Sequence, residues 1–183
     1  MIFEQTPLSG AFLITPELLT DARGAFARLF CAETFAARGL EPRLDQISFS
    51  LNLRAGTVRG LHLQRPPHAE AKLVRVTAGA IFDVIVDVRA GSPSFGRWFG
   101  ARLDAGERRQ MFVPPGFAHG FQTLTEGAEV LYLISTPYAP DAQDGLRWDD
   151  PALAIAWPNP AGAVLSERDG ALPGLADFEP VRL

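Results

Sequence analysis

Side chains that could exchange protons near neutral pH are few in this sequence, which narrows the candidates for catalysis. There are three histidines, His62, His68 and His119, and one lysine, Lys72, among 17 basic residues. An unperturbed imidazole titrates near pH ~6.5, so histidine can act as a base at physiological pH. Two explanations for the single lysine are open. It can be a chance of composition in an arginine-rich protein, or it can supply a compact ammonium that a planar guanidinium does not replace. His68 lies in a proline-rich loop and is expected to be solvated.

Two short motifs contain the other two histidines. The first, R-G-L-H-L-Q, ends at Gln64, and on a strand it would turn His62 and Gln64 to one face and the two leucines to the other. The second, P-P-G-F-A-H, ends at His119. With Glu70 they resemble the two-part signature of the cupin superfamily, in which an H-x-H pair, a glutamate and a later histidine bind a metal ion.

The metal-binding interpretation has one weak point, which is Gln64. It stands where the second histidine of a cupin would be, and a neutral carboxamide is a poor ligand for first-row metals. We therefore predict a cupin-like barrel with no metal and no other cofactor. A metal site at His62, Glu70 and His119 stays open as an alternative.

The elements that must position these residues are mainly strands. Apolar residues alternate with period two in 72–76, 81–89 and 130–134, and glycine and proline turns separate the rows. This pattern is typical of an antiparallel sandwich or barrel. Helices are predicted from Thr15, as an N-cap before Pro16, and over 32–38 before Gly39. From Pro140 onward we expect an irregular segment with one short helix.

Composition limits the class of protein. The 183 residues, 47% hydrophobic and 21% charged, predict one globular domain spanning 1–183. A net charge of −4 argues against nucleic-acid binding. No apolar run is long enough to span a membrane, and no basic and apolar leader opens the chain, so we expect a soluble cytoplasmic protein. Cys31 is the one cysteine and can form no internal disulfide.

The sequence resembles the dTDP-4-dehydrorhamnose 3,5-epimerases along essentially its whole length. The R-G-L-H-L-Q and G-F-A-H-G-F segments are specific, and further blocks match in the family's order. These blocks are 21–26, 56–64, 72–74, 83–89, 92–96, 113–121, 138–140, 145–151, 155–158 and 165–169. The resemblance implies a double-stranded β-helix, the cupin or jelly-roll barrel, with short peripheral helices. It also implies a homodimer that serves dTDP-rhamnose synthesis for cell-surface polysaccharide.

The reaction implied by the resemblance is epimerisation at C3 and C5 of a nucleotide-linked 4-keto-6-deoxyhexose. Both hydrogens are α to the C4 carbonyl, so the enzyme needs a base, a cation for the enolate oxygen and an acid on the opposite face. By resemblance His62 is the base, and Asp169 holds its tautomer. Lys72 faces the C4 oxygen, and Tyr132, in an inward row with Val130 and Ile134, is the acid.

Substrate contacts are assigned by the same resemblance to a further set of polar and aromatic residues. Some of these depart from the commoner family pattern: Arg28 and Gln143 stand at usual glutamates, Arg168 at a usual lysine, and Ser48 in a usual Gln-Asp-Asn run. The departures make the region near the nucleotide more positive, which predicts weaker discrimination for thymidine. The full set is Arg23, Arg28, Gln46, Ser48, Arg59, His119, Tyr138, Gln143 and Arg168.

Other functions remain open on the residues alone. The chain could epimerise C3 only, or act on a sugar linked to another nucleoside diphosphate. It could be a metal-dependent cupin enzyme or a sugar-nucleotide binding module without catalysis. Its partner in each of these hypotheses is a small molecule, with no nucleic acid and no membrane.

Overall fold

Thirteen β-strands, two short α-helices and two single-turn 3₁₀ helices, Pro140–Ala142 and Leu175–Asp177, make up the regular structure of the protein, which a computed structural model describes over residues 1–183. The strands are β1 (Ile2–Gln5), β2 (Phe12–Thr15), β3 (Leu19–Asp21), β4 (Gly24–Phe26), β5 (Gln46–Asn52), β6 (Val58–Gln64), β7 (Lys72–Ala78), β8 (Ala80–Asp87), β9 (Trp98–Asp104), β10 (Gln110–Val113), β11 (Phe117–Thr123), β12 (Ala128–Ile134) and β13 (Gln143–Gly145). The helices are α1 (Ala32–Ala36) and α2 (Glu167–Gly170).

The strands form two antiparallel sheets and one separate hairpin. The six-stranded sheet has the order β1-β2-β10-β7-β12-β5, and the five-stranded sheet has the order β13-β6-β11-β8-β9. The chain alternates between the two sheets from β5 to β8 and again from β10 to β12, which is the winding of a jelly roll. The β3–β4 hairpin joins neither sheet. The expected all-β fold is thus confirmed.

The period-two rows bury one face of each sheet against the other. The largest core cluster lies between the sheets and includes Val74 and Val130 from one sheet and Ile81, Ile85 and Phe121 from the other. All five are at most 1% exposed. Burying such side chains contributes roughly 1.5–3 kcal/mol each, so this cluster fixes how the sheets pack.

Two smaller clusters cover the outer faces. The segment after Leu146 crosses the outside of the five-stranded sheet, where Trp157 and Phe178 pack with Leu61 and Val84. On the six-stranded sheet, α1 buries Phe35 in a cluster that includes Leu73. The residues of β6 and β7 that point away from the barrel interior are thereby shielded from water.

The helix predicted from Thr15 is wrong. β2 ends at Thr15, and Leu19 begins the β3–β4 hairpin. A capping residue marks where a helix can start, but no apolar stripe follows here, and an isolated helix without a buried face is not stable. The helix predicted over 32–38 is confirmed as α1 with a turn at Gly39, whose φ is +69°. The irregular C-terminal segment is also confirmed, with α2 as its α-helix. Neither helix is long and apolar enough to cross a membrane.

A buried carboxylate at the end of β8 fixes the loop that follows. Asp87 is fully buried and accepts hydrogen bonds from the Arg89 guanidinium at 2.7 and 2.9 Å and from the Ser92 and Ser94 hydroxyls at 2.6 Å each. Burial alone would raise the pKa of Asp87, but these bonds outweigh it and lower the pKa to about 2. The ionised form is therefore the one that the fold stabilises.

Replacing this carboxylate should weaken the fold in a pH-dependent way. Asp87→Asn is expected to lower the free energy of unfolding by about 2 kcal/mol at pH 7, because the native state favours the ionised group. The difference from wild type should shrink as the pH falls from about 4 toward 2, where the wild-type carboxyl also takes up a proton. Urea unfolding at several pH values measures this. Asp149→Asn, at an exposed ion pair with Arg147, is the control, and a pH-independent gap for Asp87→Asn would contradict the prediction.

Candidate active site

Beside the central core, the space between the sheets opens into a cavity of about 630 Å³. Strands from both sheets line it, together with α2 and the loop between β12 and β13. Eleven of the thirteen predicted site residues line this cavity: His62, Lys72, Tyr132, Asp169, Gln46, Ser48, Arg59, His119, Tyr138, Gln143 and Arg168. Arg23 and Arg28 do not.

His62 and Asp169 form a hydrogen-bonded pair in the cavity wall. His62 Nε2 lies 2.8 Å from Asp169 Oδ1, and the other carboxylate oxygen accepts the Gly60 backbone N–H at 3.0 Å. Burial would raise the pKa of Asp169, but the bonds from His62 and Gly60 lower it below its usual value. Because the ionised carboxylate accepts the proton of Nε2, the lone pair of a neutral His62 lies on Nδ1. Nδ1 is therefore the basic nitrogen of His62, because the bond to Asp169 keeps the ring in one tautomer.

Lys72 supplies a positive charge near this base. Its Nζ lies 3.0 Å from Glu70 Oε1 and donates to the His62 carbonyl oxygen at 3.2 Å. The Lys72 and Glu70 side chains are only 11% and 10% exposed. A carboxylate offsets the desolvation of a buried ammonium, and the carbonyl fixes its position. Lys72 can therefore stabilise an oxyanion that develops in the cavity.

A second histidine–carboxylate pair lies deeper. His119 Nε2 is 2.8 Å from Asp83 Oδ1, with both side chains almost fully buried. The other oxygen, Asp83 Oδ2, is buried without a hydrogen-bond partner. β-pairing sets this geometry, since His119 lies directly opposite His62 on the neighbouring strand. The two imidazoles therefore approach the same space from adjacent strands.

Tyr132 faces the cavity from the other sheet. Its ring makes an edge-on contact with His119 at a centroid distance of 6.2 Å, and its hydroxyl lies 3.5 Å from Ser50 Oγ. Burial raises the pKa of Tyr132 well above the usual value of 10. The hydroxyl is therefore protonated at neutral pH and is available as a proton donor. The inward row of Val130, Tyr132 and Ile134 is confirmed.

The alternation of a regular strand does not explain how Arg59 reaches the cavity. Strict alternation would put Arg59 on the same face as Leu61, away from His62. The pairing of β6 with β11 is irregular between Arg59 and His62, and Gly60 lies at that point with φ +108°. The irregularity turns Arg59 inward, where its Nε donates to Asn52 Oδ1 at 2.7 Å.

Comparison with known proteins agrees with this geometry. The sequence profile of the family described as dTDP-4-dehydrorhamnose 3,5-epimerase matches residues 5–177. A dTDP-4-dehydrorhamnose 3,5-epimerase of Sinorhizobium fredii is 44% identical over 178 residues, which are 97% of this chain and 91% of the relative. The chain belongs to the dTDP-4-dehydrorhamnose 3,5-epimerase family.

Solved structures of such epimerases have the same fold. One is a dTDP-6-deoxy-D-glucose-3,5-epimerase of Legionella pneumophila in complex with dTDP-4-keto-L-rhamnose, which is 36% identical with a TM-score of 0.92. The match covers 100% of this chain and 98% of the Legionella chain. A 3'-monoepimerase of Streptomyces bikiniensis, in complex with dTDP-quinovose, is 36% identical with a TM-score of 0.86, covering 94% and 88%. The expected jelly-roll barrel of this isomerase family is confirmed.

Arg23 lies apart from the epimerase cavity. It lies in the turn of the β3–β4 hairpin, where its side chain is 90% exposed and pairs with Asp21 at 2.5 Å. Arg28 follows the same hairpin and is also exposed. A single copy of the chain therefore does not bring these two arginines to the substrate site that the resemblance assigns to them.

The donors of the alternative metal site are bound to other groups. His62 and His119 each face a carboxylate, and Glu70 pairs with Lys72. The Gln64 oxygen accepts the Ala139 backbone N–H at 2.7 Å. No group of three or more His, Cys, Asp or Glu side chains is arranged to hold a metal ion. The residues present do not fit a metal, because their donor atoms already bind other groups and the Lys72 ammonium occupies the Glu70 carboxylate.

Sequence reasoning missed three polar residues that hold the predicted ones. They are Asp83, behind His119, and Ser50 and Asn52, which bond Tyr132 and Arg59. Alternation could have found them, because Ser50 and Asn52 continue the polar row of Gln46 and Ser48. Likewise Asp83 shares the inward face of β8 with two core isoleucines.

Tyr132→Phe should separate proton exchange from inversion in this epimerase. Abstraction by His62 and return from the same face would still admit solvent deuterium at C3 and C5, whereas inversion should fall by about 10²-fold without the opposing acid. NMR of the sugar after incubation in D2O measures both. Ser50→Ala, which keeps the hydroxyl of Tyr132, should change the ratio little. Equal losses of exchange and inversion in Tyr132→Phe would show that Tyr132 is not the acid.

Proposed function

We propose that this protein converts dTDP-4-dehydro-6-deoxyglucose into dTDP-4-dehydrorhamnose by inverting C3 and C5. One observation carries the proposal: His62 and Tyr132 face the same cavity from opposite sheets. Inversion requires that a proton leave one face of the sugar and that another arrive at the opposite face. A base on β6 and a protonated phenol on β12 meet that requirement.

The reaction can proceed with the side chains of the chain and solvent water. His62 Nδ1 takes the proton from C3 or C5, and the electron pair moves onto the C4 oxygen to form an enolate. Lys72 stabilises that oxygen, while Asp169 stabilises the imidazolium. Tyr132 then gives its proton to the same carbon from the other face. Solvent takes the proton from His62 and restores that of Tyr132 before the second inversion.

The nucleotide part of the substrate would lie toward the cavity rim. Arg59 and Arg168 offer guanidinium groups to the diphosphate, which such groups bind through two parallel hydrogen bonds. Tyr138, 57% exposed at the rim, offers a ring for stacking on the base. Gln143, at a usual glutamate, also lines the cavity. Weaker discrimination for thymidine and the cytoplasmic location stay predictions from the sequence.

A second candidate function is epimerisation of C3 alone. The similarity to the Streptomyces bikiniensis 3'-monoepimerase favours it, because that protein shares the fold at the same 36% identity as the Legionella enzyme. The residues described above perform the same chemistry in both functions. The number of carbons inverted therefore has to be measured.

Incubation with dTDP-4-keto-6-deoxyglucose in D2O tests the proposed function. We expect deuterium at both C3 and C5 and inversion at both, read by NMR. His62→Ala should lower the rate of exchange at both carbons by ~10²–10⁴-fold. The variant should still bind dTDP, because the base takes part only in proton transfer.

Label at C3 alone would support the second candidate. Absence of any label with wild-type protein that binds the substrate would overturn both and leave a binding module. If His62→Ala exchanged deuterium at the wild-type rate, His62 would not be the base.

We further propose that the protein works as a homodimer. β5 is an edge strand, and its outward row of Ile47, Phe49 and Leu51 is 50–68% exposed. Unpaired edges and exposed apolar rows of this kind mark protein interfaces. Phe26, 69% exposed, adds a further apolar side chain on the separate hairpin. A second copy would cover these residues, and the hairpin could then carry Arg23 to the cavity of that copy.

Phe49→Glu should convert the dimer into a monomer, because it introduces charge into the apolar row. Light scattering after size-exclusion chromatography measures the mass. Leu183→Glu, at a similarly exposed leucine away from this row, is the matched control and should stay dimeric. A monomeric, fully active wild type would contradict the proposed dimer.

A further inference from the structure

Gln64 is a buried amide whose hydrogen bonds all go to the backbone of two loops. The residue is 3% exposed. Its oxygen accepts the Ala139 N–H at 2.7 Å, and its nitrogen donates to the carbonyl oxygens of Pro137 at 3.3 Å and His68 at 3.1 Å. Both N–H groups and the acceptor of the carboxamide are thus used.

The residue between Pro137 and Ala139 is Tyr138. Gln64 therefore binds the backbone immediately before and immediately after that ring. The loop has further anchors farther from the ring, such as the Thr136 hydroxyl on the Ala69 carbonyl at 3.1 Å before it and the Arg65 N–H on the Ala142 carbonyl at 2.8 Å after it. The Tyr138 side chain lines the cavity and is more than half exposed. Gln64 thus holds the two backbone groups that directly flank the ring.

The other end of this contact is rigid. Gln64 ends β6, which pairs with β11 on one side and with β13 on the other. His62 lies two residues earlier on the same face, and Gln143 is the direct β13 partner of Gln64. The same strand thus carries the candidate base and the amide that holds the aromatic residue at the rim.

We propose that Gln64 is a positioning residue that fixes the Tyr138 ring for the base of the nucleotide. This inference rests on the proposed function for the identity of the ligand. A ring that is already ordered binds without the cost of ordering its loop. Gln64 therefore contributes to binding of the nucleotide and takes no part in proton transfer.

The motion of the ring can be measured without any ligand. The chain has two tyrosines, Tyr132 and Tyr138. Protein labelled with 3-fluorotyrosine should therefore give two ¹⁹F resonances, which Tyr138→Phe assigns. In Gln64→Leu the Tyr138 resonance should narrow and shift toward that of free fluorotyrosine, and the buried Tyr132 resonance should stay in place. An unchanged Tyr138 resonance would overturn the inference.

Binding and turnover provide the second measurement. Gln64→Leu should weaken dTDP binding, measured by calorimetry, and raise KM by about tenfold, with kcat within about twofold of wild type. Gln64→Met, which removes the same hydrogen bonds with a side chain closer in length to glutamine, should show the same change in dTDP binding and KM and remains informative if the leucine variant folds poorly. In a Tyr138→Ala background, Gln64→Leu should have no further effect on dTDP affinity.

Gln122 is a matched control. It is fully buried and lies outside the cavity. Its amide nitrogen donates to the Asn159 carbonyl oxygen at 2.8 Å, and its amide oxygen accepts the Asn159 N–H at 2.9 Å. Gln122→Leu should lower thermal stability but leave dTDP affinity unchanged. Equal loss of dTDP affinity in both variants, or additive effects of Gln64→Leu and Tyr138→Ala, would overturn the inference. A wild type that binds dTDP but does not epimerise would overturn the proposed function alone.

Discussion

The close approach of β6 and β11 at two glycines is the constraint on which the rest of the site depends. A Cβ atom on Gly60 would lie 2.6 Å from the His119 carbonyl oxygen, and one on Gly120 would lie 2.6 Å from that of Arg59. No side chain tolerates such contacts, and the positive φ of Gly60 also favours glycine. With both glycines in place, the two strands bring the imidazoles of His62 and His119 side by side and turn Arg59 inward.

The same backbone also organises the charges. The Gly60 N–H binds Asp169, which in turn binds His62, so the irregular point of the strand and the basic side chain are held by one carboxylate. Two further ionisable side chains in the cavity wall follow a similar rule. His119 faces Asp83, and Lys72 faces Glu70. Pairing of this kind offsets part of the cost of removing several ionisable groups from water.

The sequence predicted much of this arrangement because strands encode their faces by simple alternation. The rows on β7, β8 and β12, with the turns between them, predict an antiparallel sandwich or barrel, and the inward position of Tyr132 follows from its row. Alternation fails where a strand is irregular, so the inward turn of Arg59 was not predictable. Capping signals at Thr15 were mistaken for a helix because they describe an end and not a buried face. The position of Arg23 outside the cavity was also not predictable, because short motifs carry no information on the direction in which a hairpin projects.

The long sequence separation of His62 and Asp169 has a consequence for how the protein matures. The two residues are 107 positions apart, and every strand of both sheets precedes Asp169 in the chain. Asp169 reaches the base only after the segment beyond Leu146 has crossed the outer face of the five-stranded sheet. A nascent chain can therefore contain every strand of the barrel before the histidine has its carboxylate and before α2 completes the cavity wall. The pair of His62 and Asp169 therefore exists only where this last layer has docked, so the geometry of the candidate base depends on a layer outside the barrel.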